Sequence, residues 1–289
     1  MIFTMENSII YRILNMTAWR MEAPQLFSGF HIAASLLMIA AAAAAAVYFA
    51  RQISRNSSDA QTGLTKILAA AGWILVLLEV YKQLFLFFIV NDRVYDWWFF
   101  PFQLCSVPMY LCILLPLTGG RLRNAFLTFM GGYAFIGAAA TLVYPEDILR
   151  TYTALTIHGF LWHGILLFIS LLILISGAAD ASLRGLLRAA LLFALLSAAA
   201  VCINAAVEPL MQSIQAAHPE VAHSWAAMFY MNPYHISPQP IVNSVQKTAG
   251  IPAGLILYAL VIAAVSSLVC ILTDCMLSGR AQRSRRPRT

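Results

Sequence analysis

Charge is what this sequence has least of. Only 10% of its 289 residues are Asp, Glu, Lys or Arg, where an ordinary soluble domain carries roughly 25%. That is too little polar surface to cover a globule, and it excludes a soluble enzyme and a disordered chain. Cysteine is scarce and odd in number: Cys105, Cys112, Cys202, Cys270 and Cys275 all lie in or beside apolar runs. With no C-x-x-C pair, neither a disulfide framework nor a zinc site is expected, and no metal or cofactor motif is present. The net charge of +6 is not spread as a nucleic-acid footprint, so no nucleic-acid partner is expected. Arg280, Arg283, Arg285, Arg286 and Arg288 hold five of the eighteen basic residues. They read as a solvated tail suited to anionic lipid headgroups. The first twenty residues lack the basic region and compact apolar core of a cleavable signal.

Apolar residues fill the space that charge leaves. They make up 61% of the chain, the mean hydropathy is +0.77, and they come in runs long enough to span a bilayer. The expected fold is all-α, a polytopic membrane protein with seven transmembrane helices. Runs bounded by charge, Pro or Gly predict spans at about 27–50, 64–90, 98–118, 122–144, 150–176, 183–208 and 249–275. Residues 1–26 read as an N-terminal, interfacial segment, 27–276 as the membrane domain and 277–289 as a basic cytoplasmic tail. Under an N-out, C-in arrangement, twelve Lys and Arg residues fall inside and five outside, with Lys82 within a span. The positive-inside bias therefore favours that orientation. The longest connection, 209–248, is then an outer loop, and its length marks it as a functional cap or a re-entrant segment. The Ala40–Ala46 run and Gly131, Gly132 and Gly137 read as close-packing positions.

Ionisable groups within hydrocarbon cost at least ~2.5 kcal/mol each on insertion scales, so the few present need a reason. Glu79, Lys82 and Gln83 share one helical face. A self-neutralising packing pair and a polar-pocket wall are equally good readings of them. Pro101 and Pro108 bracket Gln103, Cys105 and Ser106, and prolines in a span leave backbone groups for something polar to satisfy. His158 and His163 lie five apart on the fifth span, or ~140° around a helix. That angle argues against both facing one cysteine. Depth at ~1.5 Å per residue puts Cys105 nearer His158 than His163.

These pieces carry a resemblance. Glu79-Val80-Tyr81-Lys82-Gln83, Pro101 to Ser106, Tyr144-Pro145 and His158 to Gly164 resemble the YwaF-type family of bacterial integral membrane proteins. That family is related to the animal transmembrane ether-phospholipid acyltransferase. Asn232-Pro233-Tyr234 and Ser237 to Pro240 fit more weakly. The resemblance implies a seven-helix fold in the bacterial cytoplasmic membrane and membrane lipids as partners. For the animal branch it implies acyl transfer through a cysteine and a histidine, which match Cys105 and His163. His158, Gln103, Glu79, Lys82, Gln83, Asn232 and Tyr234 are then supporting or alternative positions.

The chemistry is coherent. A thiol is a poor nucleophile until deprotonated, and an imidazole can take its proton. Gln103 or backbone N–H groups near the prolines are the expected oxyanion donors. The expectation is a lipid acyltransferase or acyl hydrolase working through a thioester, with a phospholipid or acyl-CoA as donor. The rival is a proton-coupled transporter or channel with a Glu79, Lys82, His158 and His163 relay. No internal repeat supports it. A retinal pump is excluded, because the last span has no lysine.

Overall fold

A computed structural model of the protein describes residues 9–55, 59–219 and 223–284. Among them no β-strand forms, and the one extended pairing is an isolated bridge between Arg20 and Tyr152. The helices are α1 (Ile9–Asn15), α2 (Gly29–Arg55), α3 (Ala60–Phe85), α4 (Val107–Leu114), α5 (Gly120–Val143), α6 (Thr153–Ile175), α7 (Leu183–Ala217), α8 (Pro240–Ala249) and α9 (Ile251–Ser284). A π-helical turn, Leu86–Val90, continues α3, and a 3-10 turn, Leu115–Leu117, continues α4. Among the described residues, six helices are long and apolar enough to cross a membrane: α2, α3, α5, α6, α7 and α9. Val107–Leu117 is the shorter apolar seventh.

That seventh element departs from the span expected over 98–118. The helix starts only at Val107, with Pro108 in its first turn, where a missing N–H costs nothing. Residues 100–106 form bends and turns instead, because a proline restricts the residue before it and breaks the i to i−4 ladder. Depth counted along a helix from residue 98 therefore does not apply to Cys105. Two other boundaries move. Helix α7 runs through Pro209 to Ala217, and α8 lies inside the expected outer loop. Helix α9 continues to Ser284, past the expected start of the tail at 277. Arg285, Arg286 and Arg288 of that tail, and residues 1–8 of the N-terminal segment, lie outside the described residues.

Helices α5 and α6 form the centre. In their most apolar stretches 61% and 72% of residues are buried, against 22% or less in the other four. Small residues set the closest approaches. A Cβ on Gly132 would sit 2.8 Å from the Ser266 carbonyl oxygen of α9, and one on Gly72 would sit 2.7 Å from Cys112 Cβ of α4. Ala42 and Ala46 are buried on α2, which packs along α6. Close packing is the role expected of that alanine run. Gly131 packs tightly against Ile173 and Leu174, but Gly137 meets nothing within 4 Å and opens into a cavity. The expected packing role fails for Gly137 because its Cβ position points into the cavity rather than against a neighbouring helix.

The connections at one end knit together into a cap. Met21 N–H donates to the Thr151 carbonyl, and Thr153 N–H donates to the Trp19 carbonyl. Gln103 joins the segment before α4 to the one after α7: its amide donates to the Ala227 carbonyl at 3.1 Å, and its oxygen accepts from Phe229 N–H at 2.9 Å. Phe229 and Tyr230 both adopt left-handed backbone, φ 56° each. Two consecutive non-glycine residues there store local strain.

Candidate functional site

Beneath the cap lies a cavity of about 460 Å³. Its apolar wall comes largely from α5, α6 and α9. Its polar wall combines Lys82, Cys105, Ser106, His158 and His163 with Asp96, Asp147, Arg150, His223 and Tyr230.

Helix α6 brings both of its histidines to this wall, although ~140° separates them around the helix. Leu155, Gly159 and Trp162 fill the arc between them and line the cavity too, so one curved surface takes in both rings. Gly159 makes room for this. A Cβ there would lie 2.5 Å from Ile148 Cβ, so the glycine lets the Glu146–Ile148 turn rest on α6. Each ring is fixed by one nitrogen. His163 Nδ1 lies 2.8 Å from the Gly159 carbonyl and His158 Nε2 lies 3.1 Å from the Leu78 carbonyl. A carbonyl can only accept, so those nitrogens carry the protons. His163 Nε2 and His158 Nδ1 are left without a hydrogen bond among the described residues, as acceptors.

Cys105 is free and partly exposed. Trp162 Nε1–H donates to its carbonyl at 3.2 Å, tying the turn before α4 to α6. Among the described residues, the backbone N–H groups of Leu104 and Cys105 donate to no carbonyl or other side chain. They are backbone donors with spare capacity at the cysteine and at the residue before it. Gln103 does not have that capacity, since both ends of its amide hold the cap. Of the two kinds of donor expected near the prolines, Gln103 and backbone N–H groups, Gln103 is thus engaged in joining the two loop segments.

The Glu79, Lys82 and Gln83 face forms as expected. Lys82 Nζ lies 2.9 Å from Glu79 Oε1, and Gln83 Nε2 donates to the same oxygen at 2.7 Å and to the Phe99 carbonyl at 2.6 Å. Lys82 also lies over the Trp162 ring, 5.9 Å from its centre, and lines the cavity. Glu79 and Gln83 stand behind it. Asn232 and Tyr234 fall outside the site. Asn232 is buried and spends its amide on the Ala226 carbonyl and on the N–H groups of Tyr234 and His235, while the Tyr234 side chain is 59% exposed.

Among the polar groups of the wall not foreseen from sequence are Asp96, Asp147, Arg150, His223 and Tyr230. Tyr230 donates to Asp147 Oδ2. Burial and the neighbouring Asp147 push its phenol well above 10, so it stays protonated and can donate. Arg150 lies over the Phe99 ring at 5.1 Å and forms no ion pair among the described residues. Burial pulls its guanidinium below the ordinary arginine value, and Asp147 opposes that shift. The nearest sequence signals for these residues were the Tyr144-Pro145 element and the long connection 209–248. Nothing in either pointed to a carboxylate.

Fold and site together define a polytopic helical membrane protein whose loops at one end close a cavity lined by a thiol, imidazoles and carboxylates. Residues 26–273 match the TMEM164 family, and the chain belongs to it. No curated protein and no solved structure matches the chain.

Proposed function

We propose that this protein is a membrane-embedded lipid acyltransferase or acyl hydrolase with Cys105 as nucleophile and His163 as base. The observation that carries the reading is the shared cavity. Cys105 and His163 line the same space, and the bonds around them leave free the atoms the chemistry needs: the thiol, one imidazole acceptor and two backbone donors. His163 Nε2 takes the thiol proton as sulfur attacks the ester carbonyl. The negative oxygen is received by the Leu104 and Cys105 N–H groups. The C–O bond then breaks, the leaving oxygen takes the proton from His163, and a thioester remains on Cys105. An acceptor hydroxyl or water completes the cycle.

Arg150 is a cation at the wall with no ion pair among the described residues, which suits the phosphate of a phospholipid or of acyl-CoA. The resemblance to the YwaF-type family and the distribution of Lys and Arg support a bacterial cytoplasmic membrane with the cap on its outer face. The cap then faces the outer leaflet, which favours a phospholipid as donor over acyl-CoA.

The test uses purified protein in vesicles containing phospholipid with an isotope-labelled acyl chain. Wild type transfers or releases the label. Cys105→Ala abolishes this, and His163→Gln slows it at least ~100-fold, as loss of a positioned base does. Undiminished turnover by Cys105→Ala refutes the reading. A silent Cys105→Ala combined with ion flux lost in Glu79→Gln or His158→Gln would instead support a proton-coupled transporter.

A further inference from the structure

The acyl-thiol chemistry uses one histidine, His163, yet of the two other imidazoles that line the cavity, His223 is held by a carboxylate. Asp96 is 4% exposed. Its Oδ1 accepts from Trp98 N–H at 3.0 Å, and its Oδ2 lies 2.7 Å from His223 Nδ1. The His223 ring stacks on Trp98, centres 4.5 Å apart and planes within 10°, and meets the edge of Phe99 at 5.2 Å. The ring therefore cannot turn, and its Nδ1 carries the proton. Asp96 and His223 both line the cavity, and His223 Nε2 makes no hydrogen bond among the described residues. A buried carboxylate that fixes an imidazole and leaves Nε2 bare is the orienter-and-base arrangement of nucleophilic enzymes.

A similar trio elsewhere sharpens the comparison. Glu208 bonds His235 at 2.6 Å, and His235 stacks on Trp225 at 5.0 Å. Neither Glu208 nor His235 lines the cavity, and the nitrogen bound there is Nε2. That trio holds α7 to the cap. The Asp96 trio does this and also presents a base to the cavity.

We propose that Asp96 and His223 form the acid–base pair of the second half-reaction, acting on the hydroxyl-bearing acceptor, whether a lysolipid or water. This rests on the acyl-thiol reading above. His223 Nε2 takes the acceptor O–H proton as the oxygen attacks the thioester carbonyl. The new C–O bond forms, the C–S bond breaks, and sulfur leaves as thiolate. The Cys105–His163 pair takes up one proton from water, and His223 returns its own to water. One base per half-reaction lets the acceptor enter from the cap side while the acyl chain stays among the helices.

Burst kinetics with p-nitrophenyl butyrate as acyl donor separate the halves. Wild type, Cys105→Ala, His223→Gln, Asp96→Asn and His235→Gln are compared in detergent, with the acyl adduct followed by intact mass. His223→Gln and Asp96→Asn keep the nitrophenol burst within about 3-fold and slow the steady state at least ~100-fold. They accumulate a butyryl thioester on Cys105, and hydroxylamine, which needs no base, restores turnover. His235→Gln leaves both phases unchanged. Asp96→Asn keeps an acceptor for Trp98 N–H, so it reports on the base even if His223→Gln unfolds. A burst and steady state that fall together, or a steady state that does not fall, overturn the inference. So does an equal effect of His235→Gln, which makes the role structural. Loss of the burst in Cys105→Ala shows that the underlying reading still stands. A burst that survives Cys105→Ala overturns both.

Discussion

Replacing Gln103 by leucine removes the clasp between the two segments of the cap. The amide makes two good hydrogen bonds across the chain, to the Ala227 carbonyl at 3.1 Å and from Phe229 N–H at 2.9 Å, and a marginal one to the Trp98 carbonyl at 3.5 Å. Ala227 and Phe229 are fully buried. Leucine fills much of the same space but leaves a carbonyl and an N–H unpaired, at about 1–3 kcal/mol each. The sum is about 2–6 kcal/mol, and it falls on a segment whose Phe229 and Tyr230 are already held at positive φ. Relaxation of that strain returns part of it, so about 2 kcal/mol is the floor. That corresponds to roughly 30-fold in a local opening equilibrium. Amide hydrogen exchange in detergent reads it directly. Protection across 226–231 falls by about 30-fold or more, while the amides of α5 and α6 keep theirs. Unchanged protection at 226–231 would refute the view that Gln103 holds the cap.

Other outcomes follow from the same geometry. The Cβ of Gly137→Leu projects into the cavity with nothing within 4 Å, so folding and thermal stability stay within about 0.5 kcal/mol of wild type while lipid turnover collapses. Loss of stability in parallel would place Gly137 in the packed core. Gly159→Val forces side-chain atoms into Ile148 and displaces the Glu146–Ile148 turn, costing about 1–3 kcal/mol in thermal unfolding; a neutral effect would contradict that contact. Lys82→Met leaves Glu79 buried without its cation and costs about 3–5 kcal/mol, and adding Glu79→Gln recovers most of it. If the double variant is no more stable than the single one, the pair is not self-neutralising.

The helices were legible because the bilayer imposes a length and a composition that a single sequence shows openly. The Glu79, Lys82 and Gln83 face was legible because offsets of three and four determine neighbours within a helix. Two kinds of information were not local. Residues 100–106 read as the start of a span because they are apolar, although Pro101 and Pro108 had already marked where a helix could not run. The arc between His158 and His163 does not by itself show a shared wall, which depends on Gly159 letting the Glu146–Ile148 turn close over α6. Asp96 and His223 are 127 positions apart. No periodicity links them, since only the folding of the cap over the helices does. Asn232 and Tyr234 show the opposite failure, in which a turn built for its own hydrogen bonds was taken for part of a site.

The central claim is that Cys105 carries the acyl group. Its most direct test is the intact mass of the purified protein after incubation with phospholipid vesicles and rapid acid quench, followed by peptide mapping. The account predicts one added acyl chain on the peptide containing Cys105, removed by neutral hydroxylamine and absent in Cys105→Ala. Turnover with no adduct under quench, or an adduct that persists in Cys105→Ala, would contradict it.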